Sequence, residues 1–246
     1  MKSILFIIIF FPSIFMSCDK TRKETTANYK NLNPDTTMRQ AKSSVDVKRD
    51  CPIDSATMLT SEYNGIRFFT ENNLRGNGVV TISLTKKLEI LNLDKTIYGN
   101  ISMNNDEEMS LEIQLPKTVI AREIIPNSEF KIFSFDAENP ETDENYLMIF
   151  INKEKKLIEK KGSNYTFYSW DKYTKSAFIQ ITSRVPNTTE NERLNLYKTL
   201  EIKDDSMKIK SVQKTECDYV ENYKAITKWI RWKDKNCKLI NYKFCY

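Results

Sequence analysis

Thirty-three carboxylates, five cysteines and no histidine set the chemistry open to this 246-residue chain. Without imidazole there is no Ser-His or Cys-His nucleophile system and no histidine general base. Histidine-containing zinc and iron sites are excluded as well. A serine or cysteine nucleophile would need a lysine, a terminal amine or a shifted pKa, and no motif sets a lysine beside a candidate. A carboxylate pair, as in glycoside hydrolysis, is the general acid-base option that the composition leaves open. The segment Arg75-Gly76-Asn77-Gly78-Val79-Val80-Thr81 begins like a dinucleotide fingerprint. It lacks the third glycine and runs into a strand pattern, so no helix N-terminus awaits a phosphate and a hairpin turn is the better reading. Asp136 to Asn145 is an acidic loop without EF-hand spacing, read as a solvated turn. No catalytic residue is assigned, and no metal or organic cofactor is called for.

Aromatic side chains gather in two places. Tyr165, Phe167, Tyr168, Trp170 and Tyr173 form one group; Trp229, Trp232, Tyr242, Phe244 and Tyr246 form the other. Exposed Trp and Tyr faces suit sugar or protein contact, so Trp170, Trp229 and Trp232 are the binding candidates. Core packing is the commoner use of such residues. The run Lys153-Glu154-Lys155-Lys156, continued by Lys160 and Lys161, reads as a hairpin edge that resists strand pairing.

The N-terminus carries a different signal. Lys2 is the only charge before Cys18, and Ile4 to Phe11 is unbroken apolar sequence. With Ile14, Phe15 and Met16 the apolar core reaches about thirteen residues, where a membrane-spanning helix needs roughly twenty. Residues 1–17 therefore read as a secretory signal. Phe15-Met16-Ser17-Cys18 resembles the lipobox of bacterial lipoproteins. The resemblance implies that Cys18 receives a diacylglyceryl group, that the peptide is cut before it, and that the new amine is acylated. Two or three acyl chains on one residue anchor stably, where a single chain is marginal. Residues 18–50 follow as the lipidated Cys and a flexible tether: only seven of the 32 residues from Asp19 to Asp50 are apolar. Such a stretch cannot bury enough surface to offset its ordering entropy.

Residues 51–246 read as one β-rich globular domain with a substantial core. Glu108 to Leu115 alternates apolar and polar residues throughout, as a half-buried antiparallel strand does. Val80–Leu84, Phe130–Phe135, Tyr146–Ile151, Tyr165–Trp170 and Ala177–Ile181 are further strands. Breaks at Arg75–Gly78, Tyr98–Asn100, Asn152–Glu154, Lys203–Ser206 and Lys233–Asn236 are read as turns. Glu190 to Leu200 is the best helix candidate, with Thr189 and Glu192 at capping-box spacing, though a strand fits nearly as well. The expected fold is all-β and mostly antiparallel, a sandwich or barrel with one short helix near 190–200.

Cys51, Cys217, Cys237 and Cys245 read as up to two disulfides, with three possible connectivities. If Cys237 to Cys245 is one extended strand its ends lie about 26 Å apart, beyond the ~7 Å that a bridge tolerates. Cys217–Cys237 with Cys51–Cys245 is the preferred pattern.

These readings point to a lipid-anchored protein of the bacterial cell envelope, facing the periplasm. Its bilayer partner is met through acylated Cys18. The net charge of +5 is spread along the chain and does not indicate nucleic acid. The leading function is non-catalytic binding or envelope structure with a protein or glycan partner. A carboxylate-based glycan hydrolase and a periplasmic inhibitor or immunity-type protein are the alternatives.

Overall fold

Alternating burial explains most of the strands in the computed structural model, which describes residues 51, 58–104, 110–126, 129, 131–221 and 223–245. The signal segment 1–17, Cys18 and the tether to residue 50 lie outside the described residues. The first lobe opens with β1 (Met58–Tyr63), β2 (Ile66–Thr70), β3 (Gly78–Ser83), β4 (Lys87–Leu91), β5 (Ile97–Met103) and β6 (Leu111–Gln114). It continues with β7 (Thr118–Ile120), β8 (Glu123–Ile125), β9 (Ile132–Ala137), β10 (Tyr146–Ile151), β11 (Glu154–Glu159) and β12 (Asn164–Ser169). A nine-stranded sheet runs in the order β12-β3-β9-β10-β11-β4-β5-β6, with β8 also paired to β9. A smaller sheet pairs β1 with β2 antiparallel and β2 with β7 in parallel. Both contribute to one core that includes Phe68, Val80, Ile90, Phe133, Phe135, Leu147 and Ile149.

The second lobe contains α1 (Trp170–Ser176), β13 (Phe178–Ile181), α2 (Glu190–Arg193), β14 (Leu196–Lys203) and β15 (Ser206–Val212). It ends with β16 (Thr227–Arg231), β17 (Lys233–Asp234), β18 (Cys237–Lys238) and β19 (Ile240–Lys243). Five of these strands form an antiparallel sheet in the order β16-β15-β14-β13-β19. Its inner face packs a second core around Ile179, Tyr197, Met207, Ile209, Trp232 and Ile240. The chain is thus all-β and mostly antiparallel, as expected, but it buries two hydrophobic clusters where one was expected.

Several local expectations need correction. Tyr165 and its neighbours form a strand only to Ser169, whose side chain accepts from the Lys172 N–H and starts α1 at Trp170. Tyr98-Gly99-Asn100 lies inside β5 and is not a turn. Gly99 is there because a Cβ would sit 2.4 Å from the Gln114 carbonyl oxygen on the paired strand. The capping box at Thr189 and Glu192 forms, but the helix stops at Arg193 and β14 takes over from Leu196. The lysine-rich β11 is an interior strand between β10 and β4, not an edge. Its Lys156 is buried, with Nζ 2.7 Å from Glu154 and 4.4 Å from the Tyr98 ring centroid. Gly76 to Gly78 does not close a hairpin; a Cβ on Gly76 would strike the Ala137 carbonyl oxygen at 2.3 Å, so the glycines permit close approach to β9.

A buried ion pair of the first lobe lies against α1 of the second. Asp136 on β9 receives Arg122 Nε at 2.7 Å and Nη2 at 2.8 Å. The same guanidinium donates to the backbone carbonyls of Glu71 and Asn73, at 3.1 and 2.7 Å. Trp170 of α1 stacks over it, 5.0 Å from the ring centroid. Burial opposes the guanidinium charge, yet the carboxylate beside it outweighs that and holds its pKa above the ordinary value. Tyr173 packs edge-on against Tyr242, whose hydroxyl hydrogen-bonds Thr174 at 2.8 Å. Burial pushes the Tyr242 phenol up to about 12. The acidic loop begins at this pair, with Asp136 already committed to Arg122. Asp143 accepts from the backbone N–H of Asn145 and of Tyr146, which lowers its pKa. No cluster of three metal-ligating side chains occurs among the described residues.

Two disulfides form among the four expected cysteines, but not in the preferred pattern. Cys51 pairs with Cys237 and Cys217 with Cys245. Cys237 lies opposite Asn73 across a β-bridge, and backbone hydrogen bonds from Leu74 to Asn236 and from Lys238 to Asn72 hold β18 there. Cys217 follows β15 in a loop that the Asp218–Lys243 pair, at 3.3 Å, draws to the end of β19. The nearest thiol for it is therefore Cys245. Cys237 and Cys245 are not joined to each other, in keeping with the extended course of β18 and β19.

Candidate functional site

A groove of about 660 Å³ opens on the second lobe. One wall is α2 with its flanks, from Thr189 to Asn195; the other is made by Asp218, Tyr219, Val220, Glu221, Lys224 and Ile226 in the connection from β15 to β16. Its size lies within the range of small-molecule sites, about 300–1,000 Å³. Leu194 is 65% exposed and Tyr219 57% exposed, which puts an apolar and an aromatic surface at the opening. Thr189, Asn191, Glu192, Asn195, Asp218, Glu221 and Lys224 supply polar groups around them.

Each wall is held by identifiable bonds. Glu192 accepts from the Thr189 N–H at 2.8 Å and pairs with Lys228 Nζ at 2.5 Å. The opposite wall hangs on buried Ser211, whose hydroxyl donates to the Lys224 carbonyl and accepts from the Ile226 N–H, both at 2.8 Å. Lys214 and Tyr219 form a β-bridge at the turn of that segment, and the Cys217–Cys245 bond fixes its start. The groove is consequently preformed, which spares a ligand the cost of ordering it.

Its electrostatics favour contact over proton transfer. Lys228, and then the Thr189 N–H, hold the Glu192 carboxyl below its ordinary pKa against the effect of burial. Glu192 is therefore ionised at neutral pH and is a poor general acid. Tyr197, beneath it, donates to the Glu192 carbonyl at 2.9 Å; burial, aided by the Glu192 charge, pushes its phenol up to about 12. Asn195 is buried and uses its Nδ2 on the Asn191 carbonyl, while its Oδ1 has no hydrogen-bond partner among the described residues. An unsatisfied buried carbonyl costs about 1–3 kcal/mol, which a water or a ligand donor would recover.

No protein family, characterised protein or solved structure matches this chain.

The three tryptophans singled out in the sequence have separate fates. Trp232 has no accessible surface; its indole N–H donates to the Asp204 carbonyl and its ring fills the second core, so it is a core residue and not a contact residue. Trp170 covers Arg122 at the lobe junction and is half-buried. Trp229 alone of the three is exposed, at 43%, on β16. None of them lines the groove. Its residues come from separated stretches with no motif. The one local signal in the sequence was the capping box, which marks Thr189 and Glu192 as the start of a helix and says nothing of a ligand.

Proposed function

We propose that the chain is a lipid-anchored envelope lipoprotein whose β-rich domain is a non-catalytic binding module, with a glycan as the ligand of the groove. The preformed groove carries this reading. An exposed Tyr219 ring beside amides and carboxylates is the surface that a sugar needs, stacking on its apolar face and hydrogen-bonding at its rim. Two disulfides suit an oxidising compartment such as the periplasm. The lipobox resemblance at Ser17-Cys18 supplies the anchor.

Titration calorimetry against envelope oligosaccharides tests the binding role. Tyr219→Ala should weaken capture at least thirtyfold, as loss of a central aromatic contact of about 2 kcal/mol does. Turnover of the sugar that disappears in Glu221→Gln would overturn the non-catalytic reading in favour of a carboxylate hydrolase. The anchor has its own test. Intact-mass analysis of membrane-extracted protein should find a chain that begins at Cys18 and carries acyl mass. A mature species that begins elsewhere without acyl mass would remove the anchor.

A further inference from the structure

We infer that the outer face of the β16-β15-β14-β13-β19 sheet docks on an anionic bilayer. The alternation that sends Tyr197, Met207, Ile209 and Ile230 into the second core sends Lys198, Lys208, Lys210 and Trp229 to the opposite face. Lys198 and Lys210 stand directly opposite each other on β14 and β15. Like charges in that position cost stability unless a counter-charge lies over them. Among the described residues no ion pair joins Lys198, Lys208 or Lys210 to a carboxylate: Glu201, opposite Lys208 in the ladder, pairs with Lys203 at 3.0 Å, and Lys198 Nζ lies 5.2 Å from the Phe178 ring centroid. The first-lobe sheet shows the ordinary arrangement, with Lys87 matched by Glu89 at 2.6 Å on the same face of β4.

The face also carries apolar groups that a polyanion in solution would not need. Trp229 lies opposite Lys208 on β16, with Lys203 Nζ 5.4 Å from its ring centroid. Leu200 sits at the bulge in β14 and is 50% exposed. Indole rings favour the headgroup level of a bilayer, and lysines around them reach its phosphates. The membrane itself comes from the anchored reading, on which this proposal rests. Read as a random-coil tether, the 32 residues from Asp19 to Asp50 would span roughly 30 Å, enough for the domain to lie down on the surface that holds it. Acyl chains and a basic face then act as two signals on one membrane.

The test uses residues 19–246, which contain every described element and lack Cys18, so vesicle binding is read apart from acylation. Flotation with vesicles of phosphatidylcholine plus phosphatidylglycerol should carry the protein, and vesicles of phosphatidylcholine alone should not. Lys198→Gln/Lys208→Gln/Lys210→Gln should lower the partition roughly a hundredfold, with wild-type circular dichroism and both disulfides kept. Tryptophan emission should shift to the blue on anionic vesicles, and Trp229→Phe should abolish that shift. Equal binding to both vesicles, or a triple variant that binds as the wild type does, would overturn the proposal. Capture by soluble dextran sulfate without a Trp229 shift on vesicles would assign the face to a polyanion instead. Because acylation is read by mass and docking by this chain, either reading can fail without the other.

Discussion

Arg122→Met should destabilise the protein by about 3–5 kcal/mol, the cost of leaving a buried carboxylate without its partner. Asp136 would keep only the Arg75 backbone N–H, at 2.9 Å, in place of a bidentate guanidinium. The carbonyls of Glu71 and Asn73 would lose their donor, and Trp170 the cation beneath its ring. Equilibrium unfolding in guanidinium chloride with the disulfides intact measures the loss. The double variant Arg122→Met/Asp136→Leu should regain most of it, because a buried pair replaced by apolar groups of similar volume is often neutral. A single variant within 1 kcal/mol of wild type would mean that the buried carboxylate is satisfied without the guanidinium.

The second large effect concerns the cross-links. Cys51–Cys237 closes a separation of 186 residues and Cys217–Cys245 one of 28. Loop entropy assigns them about 5 and about 3.5 kcal/mol. Their accessibilities run the other way: Cys51 and Cys237 are buried and Cys217 is exposed. Mild dithiothreitol should therefore open Cys217–Cys245 first, as thiol exchange requires access to a sulfur. Alkylation and peptide mapping should find Cys217 and Cys245 labelled while Cys51 and Cys237 are still joined. The singly reduced protein should keep its strand content but lose groove binding, since the wall that begins at Asp218 starts at that bond. Simultaneous loss of both bonds would show that the lobes unfold as one unit under reduction.

Sequence pattern reveals those parts of the fold in which one face of a strand is dry. In β10, Leu147, Ile149 and Ile151 alternate with half-buried neighbours, and the run is legible at once. It fails where burial comes from elsewhere. Lys156 looks like an exposed edge residue, yet Glu154, Asn92 and Tyr98 take up its charge inside the sheet. Trp170 looks like the end of an aromatic strand, yet Ser169 caps a helix there because the chain must leave β12 and cross over Arg122. The cysteine types were legible and their partners were not, because pairing follows the turn of β18 toward Asn73. The groove was invisible for the same reason. Leu194 and Tyr219 come together only when β14, β15 and β16 pair, and neither has a neighbour in sequence that marks it.

The two disulfides also define a route for mechanical load. If Cys18 anchors the chain as proposed, tension from the membrane would enter the domain at Cys51. It would pass through one bond to Cys237, along eight residues to Cys245, and through the second bond to Cys217. The next residue, Asp218, lines the groove. A pull between the membrane and a captured ligand would thus travel on a short covalent path. The nine-stranded sheet of the first lobe lies in the loop that this path bypasses and would carry none of the force.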